Sequence, residues 1–175
     1  ATLGRLSELT EEDRRAWAEV IHSFQNPVSG WYKKKYTLHF RSHAAAYAVA
    51  ALTLLGDTPA HPVRRAHQVA ASPEATREWL EGVPWSIIWP ASHIVAGLPA
   101  ILIMTGDVPE TFWEPYFSWL DARAHPETGF WSRGFLHRIG IKKPLATEEL
   151  GGAFHMHFVY EAVGREWPYP ERVVD

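Results

Sequence analysis

The sequence predicts an all-α protein built from three αα-hairpin repeats. The main observation is an internal repeat with a spacing of 50 residues, in which "SHAAAYAVAALTLLGDTP" begins at Ser42 and "SHIVAGLPAILIMTGDVP" begins at Ser92. Each copy holds a long run without charged side chains, followed by a glycine and then a proline, which are signals that end a helix. A fainter third copy, "LGGAFHMHFVYEAVGREWPYPE", carries Gly164 in the same position. A helical segment repeated at a fixed period is typical of helical repeat proteins.

The repeated segments are predicted to be inner helices. Ser42 and Ser92 are expected to be their N-caps, because a short side-chain oxygen can accept a hydrogen bond from the first-turn amides. Gly56 and Gly106 are expected to adopt the left-handed conformation after the last turn. Since the segment Ala44–Leu55 has no charged residue, we expect the first inner helix to be buried on all sides.

An amphipathic outer helix is predicted before each inner helix. The first starts at the capping box "TEED" after Leu9, the second at Ser72 with Pro73 in the first helical position, and the third at Pro109. The stretch "AHPVRRAHQVA" predicts one further short helix. The three hairpins therefore cover approximately residues 10–59, 72–109 and 109–168 of a single domain, residues 1–175.

Two turns repeat as well, "SFQNPVSGWY" and "ARAHPETGFW". Gln25, Gly30 and Trp31 of the first resemble the repeat motif of the terpenoid-cyclase and protein-prenyltransferase α/α-toroid superfamily, and Arg123 stands near the glutamine position in the second. The resemblance implies a partial (α/α) toroid whose inner helices are parallel and enclose a central cavity. Neither family's catalytic motif is present, because the chain has no aspartate cluster and no cysteine.

Composition narrows the classes of partner. With 17 basic and 20 acidic residues the net charge is −3, which gives no support for nucleic-acid or membrane-surface binding, so neither is expected as a partner. The uncharged stretch from Gly82 to Gly106 is long enough to span a bilayer, but prolines and polar residues interrupt it, and a loop followed by a buried helix is expected. The N-terminal residues show no secretory signal, which predicts a cytoplasmic protein.

Candidate functional residues come from the starts of the inner helices. If these helices are parallel, Arg41, Ser42, His43, Ser92, His93 and His155 meet at one end of the concave face. Helix N-termini carry partial positive charge, so they would favour an anionic ligand and keep a nearby imidazole neutral, as a general base requires. The alternative for His43 and His93 is a first-turn residue satisfied by the neighbouring loop.

The remaining candidates surround these positions. Tyr47 is a candidate proton donor, with core packing as the alternative, so the predicted catalytic set is His43, His93, His155 and Tyr47. Trp85 and Trp89 precede the second inner helix, where they would rim the cavity and stack on a ligand. The predicted ligand-binding set is Arg41, Ser42, Ser92, Trp85, Trp89 and His157.

Metal binding is possible at the three inner-helix histidines. A zinc site built from His43, His93 and His155 is geometrically conceivable, but the sequence assigns neither a metal nor a cofactor. His155 and His157 are two residues apart, so on a helix they would face nearly opposite sides and would not share one metal. His157 and Glu161 have the spacing of a structural pair.

Two classes of function stay open. The first is a small-molecule-binding protein, extending to catalysis of the lyase, hydrolase or cyclase type, with a His/Arg/aromatic pocket for a partly anionic ligand. The resemblance suggests an isoprenoid-like ligand, and the mixture of histidine, arginine and aromatic residues suggests a carbohydrate. The second is a non-enzymatic assembly or binding module that completes a barrel as a homodimer or with a partner chain, since a half-ring would expose its apolar inner face.

Overall fold

The computed structural model describes residues 5–32, 40–131 and 147–173. Within these ranges the regular secondary structure is all helical, with no strand beyond an isolated β-bridge between Gln25 and Tyr32, so the all-α class is confirmed. A 3-10 helix (Arg5–Glu8) is followed by α1 (Glu11–Ser23), α2 (Arg41–Leu55), α3 (Arg64–Val69), α4 (Pro73–Glu81), α5 (Ile88–Thr105), α6 (Glu110–Asp121), α7 (Thr147–Ala162) and α8 (Pro170–Val173).

Local signals determine several helix ends as predicted. The Thr10 hydroxyl accepts the Asp13 amide at 3.1 Å while the Asp13 carboxylate accepts the Thr10 amide at 3.2 Å, which is the expected capping box. The Ser72 hydroxyl accepts the Ala75 amide at the start of α4. Gly56 and Gly106 follow α2 and α5 with φ values of 81° and 73°, so both predicted left-handed termini are confirmed.

The predicted N-caps of α2 and α5 are wrong. The N-cap of α2 is Phe40, and Ser42 is already its second helical residue. The N-cap of α5 is Ile87, and Ser92 lies more than one turn inside the helix. Helix α5 can start this early because Pro90 falls in its first turn, where the missing amide removes no intrahelical hydrogen bond.

Helix α5 occupies the centre of the molecule. It packs against α2 and α7, and α3 also contacts it, while α1 packs on α2 and α4 packs on α6. Side chains that are almost completely buried include Leu52 of α2, Leu98 and Ile101 of α5, Tyr116 of α6 and Met156 of α7. These helices therefore share one hydrophobic core.

Helix α5 also has the length and composition of a membrane-spanning segment, with a mean hydropathy of 1.5. Inside the protein 61% of this helix is buried. A core helix has the same composition, so one helix of this kind is weak evidence for a membrane, and the expectation of no membrane is not contradicted.

Helix α2 is less buried than predicted. It buries Ala45, Val49 and Leu52, but Tyr47 and Leu54 are 66% and 51% exposed. One face of α2 is therefore uncovered by the described part of the chain. The expectation of burial on all sides was wrong because an uncharged helix can also line an open groove.

Glycines allow the three inner helices to approach closely. A Cβ atom on Gly97 of α5 would lie 2.8 Å from the Ser42 carbonyl carbon of α2. On α7, a Cβ atom on Gly151 would overlap the Trp89 ring, and one on Gly152 would lie 2.7 Å from the Ile88 side chain. Helices α2 and α7 therefore both pack closely on α5.

The two predicted turns have the same backbone hydrogen bonds. In both Asn26–Trp31 and His125–Phe130, the amide of the first residue donates to the carbonyl of the last at 2.8 Å, and the amide of the glycine donates to the carbonyl of the first at 2.8 Å. This register places Ala124, rather than Arg123, at the position of Gln25. The similarity of these two turns is thus visible in backbone geometry as well as in sequence.

Candidate functional site at the inner-helix histidines

His43 of α2, His93 of α5 and His155 of α7 form a cluster. One ring nitrogen from each residue lies within 4.8 Å of the others. The rings of His43 and His93 stack with their centroids 4.0 Å apart and their planes 4° apart. The His155 ring meets them edge-on, at centroid distances of 5.0 and 4.7 Å. The structure thus brings together three residues that the sequence analysis had named as candidates.

The cluster lies largely inside the protein. His93 is 2% exposed and His43 is 9% exposed, whereas His155 is half-buried. His43 is in the first turn of α2, but His93 and His155 lie well inside α5 and α7. The expectation that three helix N-termini surround the site was wrong, because α5 and α7 begin before their histidines by more than a turn.

Beside the histidine cluster, serine side chains link the inner helices to one another. The Ser42 hydroxyl donates to the His93 carbonyl at 2.8 Å, which joins α2 to α5. The Ser92 hydroxyl donates to the Trp89 carbonyl at 2.7 Å and lies 3.0 Å from Nδ1 of His155, which joins α5 to α7. A hydroxyl has one hydrogen, so a Ser92 hydroxyl that donates to Trp89 accepts the hydrogen of Nδ1 of His155, which in the neutral imidazole leaves the lone pair on Nε2.

The aromatic candidates separate into two groups. The Trp89 ring lies 5.7 Å from both His93 and His155, and the Tyr47 ring lies 4.7 Å from His43. Because Tyr47 is 66% exposed, the core-packing alternative for it is wrong. Trp85 is outside the cluster, since it stacks on Trp119 at 4.9 Å and donates its indole hydrogen to the Leu80 carbonyl.

His157 was predicted to bind the ligand, but it lies outside the cluster, because residues two apart on a helix face nearly opposite sides. Its ring stacks on Trp167 with centroids 3.9 Å apart and lies 5.5 Å from the Trp131 ring. Burial lowers the pKa of the His157 imidazole to about 4, so it is neutral near pH 7. Glu161 is exposed, and the described residues show no ion pair between these two side chains.

A groove runs along the inner helices from the cluster, with a volume of about 500 Å³. We call it the inner groove. Its walls are mostly small or apolar side chains, and its polar groups are concentrated where two histidines and a tyrosine border it. Its lining consists of His43, Ala46, Tyr47, Ala50, Ala96, Gly97, Ala100, Ile103, Met104, His155, Phe158, Val159 and Ala162.

Arg41 and Ser42 border a different cavity. That cavity has a volume of about 910 Å³ and is also lined by Arg65, Gln68 and Glu78. Arg41 therefore does not share a pocket with the histidine cluster, although it is only two residues from His43 in the sequence. Their separation follows from helix geometry, since residues two apart project in different directions.

The alanine lining of the inner groove was not singled out from the sequence. Ala46 and Ala50 on α2, and Ala96 and Ala100 on α5, are each four residues apart. Residues at this spacing lie on one face of a helix. Small side chains repeated on one face of an uncharged helix were the available signal for a groove.

Comparison of the chain with protein-family models, with curated proteins and with solved structures finds no match.

Proposed function

We propose that this protein binds a small molecule that has an apolar body and a polar or anionic head group. The inner groove carries the proposal, because an apolar groove ending at two imidazoles suits an amphipathic molecule. Its volume of about 500 Å³ falls within the range of about 300–1,000 Å³ that is usual for small-molecule sites.

The lining residues set the size of the ligand body. They extend over eight residues on α2 and α7, from His43 to Ala50 and from His155 to Ala162, and over nine on α5, from Ala96 to Met104, which is seven or eight steps along each helix. At a rise of 1.5 Å per residue this corresponds to about 10–12 Å. An isoprenoid-like chain suits these walls better than a sugar, because alanine and methionine offer few hydrogen-bond partners for hydroxyl groups.

The head group would lie against His43 and His155. Imidazole gains and loses a proton near neutral pH, so this position also suits acid–base chemistry on the polar end of the ligand. Tyr47 borders the same end and offers a hydroxyl. An activity of the lyase, hydrolase or cyclase type is therefore a natural extension of the proposed binding function.

Thermal unfolding in the presence of three probes tests the proposal: farnesyl diphosphate, farnesol and a uronic-acid oligosaccharide. A ligand at 100 times its dissociation constant stabilises the folded state by about 2.7 kcal/mol, which raises the Tm of a chain of this length by about 5–11 °C. We expect both isoprenoids to do so and the oligosaccharide to have no effect. Stabilisation by the oligosaccharide alone, or by none of the three, would refute the isoprenoid-like ligand.

A variant that fills the inner groove tests whether the ligand binds there. Ala100→Leu adds three carbon atoms to the groove wall and should abolish the shift. Ala16→Leu, at an exposed position of α1, is the matched control and should retain it. Equal shifts in both variants would show that the ligand binds elsewhere.

A second candidate function is assembly with another chain. It is favoured by large apolar side chains at the surface of the inner helices, including Tyr47 and Leu54 of α2 and Leu150, Phe154 and Phe158 of α7, all at least half exposed. We propose the three-hairpin partial toroid as the arrangement behind this surface, since α2, α5 and α7 adjoin in chain order. In this proposal a second copy covers the groove side and completes a ring.

Sedimentation equilibrium tests the second candidate. An assembly module should be dimeric, and Phe158→Lys should convert it to a monomer. Val20→Lys, at an exposed position of α1, should not. A monomeric wild-type protein that binds isoprenoids would exclude self-assembly and support the first function.

A further inference from the structure

We propose that His43, His93 and His155 form a binding site for one divalent transition-metal ion of the zinc type. This inference goes beyond the proposed small-molecule binding and does not depend on it. The sequence analysis left metal binding at these residues open, and the proposal commits to it.

The distances between the ring nitrogens are close to those of a metal site. One nitrogen from each histidine lies within 4.8 Å of the others. With zinc–nitrogen bonds of about 2.05 Å and tetrahedral angles, the nitrogens would be about 3.4 Å apart. The nitrogens must therefore come closer by up to about 1.4 Å, and the stacked rings of His43 and His93 must turn about their side-chain bonds so that both lone pairs point at one ion.

The backbones that carry the histidines are held firmly in place. The close approach at Gly97 and the Ser42–His93 hydrogen bond join α2 to α5. Gly152 packs against Ile88 and joins α5 to α7. The three ligands therefore come from three helices whose separation is set by packing, and the proposal assigns the rearrangement that metal binding requires to the side chains.

Ser92 provides the kind of second contact that metal-binding histidines usually have. Its hydroxyl is held by the Trp89 carbonyl and accepts the Nδ1 hydrogen of His155. A hydrogen bond at one ring nitrogen fixes the tautomer and orients the other nitrogen toward the metal. The structure thus assigns Nε2 of His155 as its metal ligand.

The donor set determines which metals fit. Three imidazole nitrogens suit zinc, cobalt, nickel and copper, whereas magnesium and calcium prefer oxygen ligands. Three protein ligands leave a fourth tetrahedral position open, as in catalytic zinc sites. The inner groove borders His43 and His155, so this open position would face the polar end of the groove.

Calorimetric titration of the full chain, stripped with a chelator and then titrated with Zn²⁺, tests the proposal. We expect one ion per chain and no binding of Mg²⁺. Co²⁺ in place of Zn²⁺ should give the intense visible absorption of a four-coordinate site. His155→Gln should weaken binding at least tenfold, and Ser92→Ala should weaken it about 10- to 100-fold by releasing the His155 ring.

Two controls make the outcome decisive. His67→Gln removes a partly exposed histidine that lies 3.9 Å from Asp107, and it should leave the affinity unchanged. Circular dichroism establishes that each variant is folded. Absence of binding to the wild-type chain, or equal loss in His67→Gln and His155→Gln, overturns the proposal. Ala100→Leu should keep the metal while losing the groove ligand, so the two proposals fail separately.

Discussion

Replacing Gly97 with alanine should destabilise the protein even though alanine is the better helix former. Gly97 lies inside α5, where Gly→Ala normally stabilises a helix by about 0.8–1.0 kcal/mol. Here the new Cβ atom would lie 2.8 Å from the Ser42 carbonyl carbon and 2.9 Å from its oxygen. Both are backbone atoms, so no side-chain rotation relieves the contact, and α2 must move away from α5.

The magnitude follows from these two opposing effects. An ordinary van der Waals contact of a Cβ atom is at least 3.4 Å, so the helices must separate by about 0.6 Å. Inserting a methyl group into a well-packed core costs about 1–3 kcal/mol. After the gain in helix propensity, we expect a net loss of up to about 2 kcal/mol in the free energy of unfolding. For a chain of this length that lowers the Tm by up to about 8 °C.

Urea unfolding followed by circular dichroism measures the loss. Gly82→Ala is the matched control, since Gly82 has a φ of −78° and its nearest contacts would be at 3.5 Å or more. That control should be neutral or slightly stabilising. If Gly97→Ala were as stable as Gly82→Ala, the close approach of α2 and α5 would not constrain the inner helices, and the argument for a fixed histidine cluster would fail.

Three further predictions concern the surroundings of the inner helices. Gln25→Ala should lower the free energy of unfolding by roughly 2–4 kcal/mol, because the Gln25 side-chain amide makes three hydrogen bonds with the backbone of Gly30 and His61. Urea unfolding measures the loss, and a loss below 1 kcal/mol would contradict the prediction. Hydrogen bonds lower the pKa of Asp57, the larger contribution coming from the Thr58 amide and the next from His22. The ionised Asp57 carboxylate therefore stabilises the folded protein above the unfolded pKa of about 4, and this stabilisation is lost as the pH falls through the folded pKa. Asp57→Asn should therefore make stability less dependent on pH in the acid range, and an unchanged pH dependence would refute this role. Tyr160→Phe should cost about 1–3 kcal/mol, because the Tyr160 hydroxyl donates to the Asp121 carboxylate at 2.6 Å; Tyr169→Phe, at a more exposed tyrosine, is the control and should have little effect.

Helix ends that depend on neighbouring residues were predictable from the sequence. Thr10 and Ser72 bond to amides three residues away, and Gly56 and Gly106 need only their own backbone conformation. Each signal is complete within one turn of helix. This is why the capping box, the N-cap of α4 and both left-handed termini agree with the structure.

The roles of the inner-helix serines depend on distant partners and were not predictable in this way. The Ser42 hydroxyl bonds to a carbonyl on α5, and the Ser92 hydroxyl contacts an imidazole on α7. A serine whose side chain is used between helices cannot cap its own. The burial of α2 was unpredictable for the same reason, because the exposure of Tyr47 depends on whether another part of the protein covers that face of the helix.

The histidine cluster was predictable in its membership but not in its surroundings. The equal positions of His43 and His93 in two copies place them at similar heights on neighbouring helices, and His155 lies one turn further along the third copy, at the position of Tyr47. The direction of each side chain depends on helix rotation, which periodicity alone leaves open. Arg41 and Trp85 were for that reason assigned to the site although they lie outside it.

The serine links between the inner helices have a direction along the chain. Ser42 reaches forward to α5, and Ser92 reaches forward to α7. Helix α5 takes part in both links, so a change in its position would disturb both at once, whereas a change at α2 or α7 would disturb only one. The relative placement of the three histidines therefore depends most on α5.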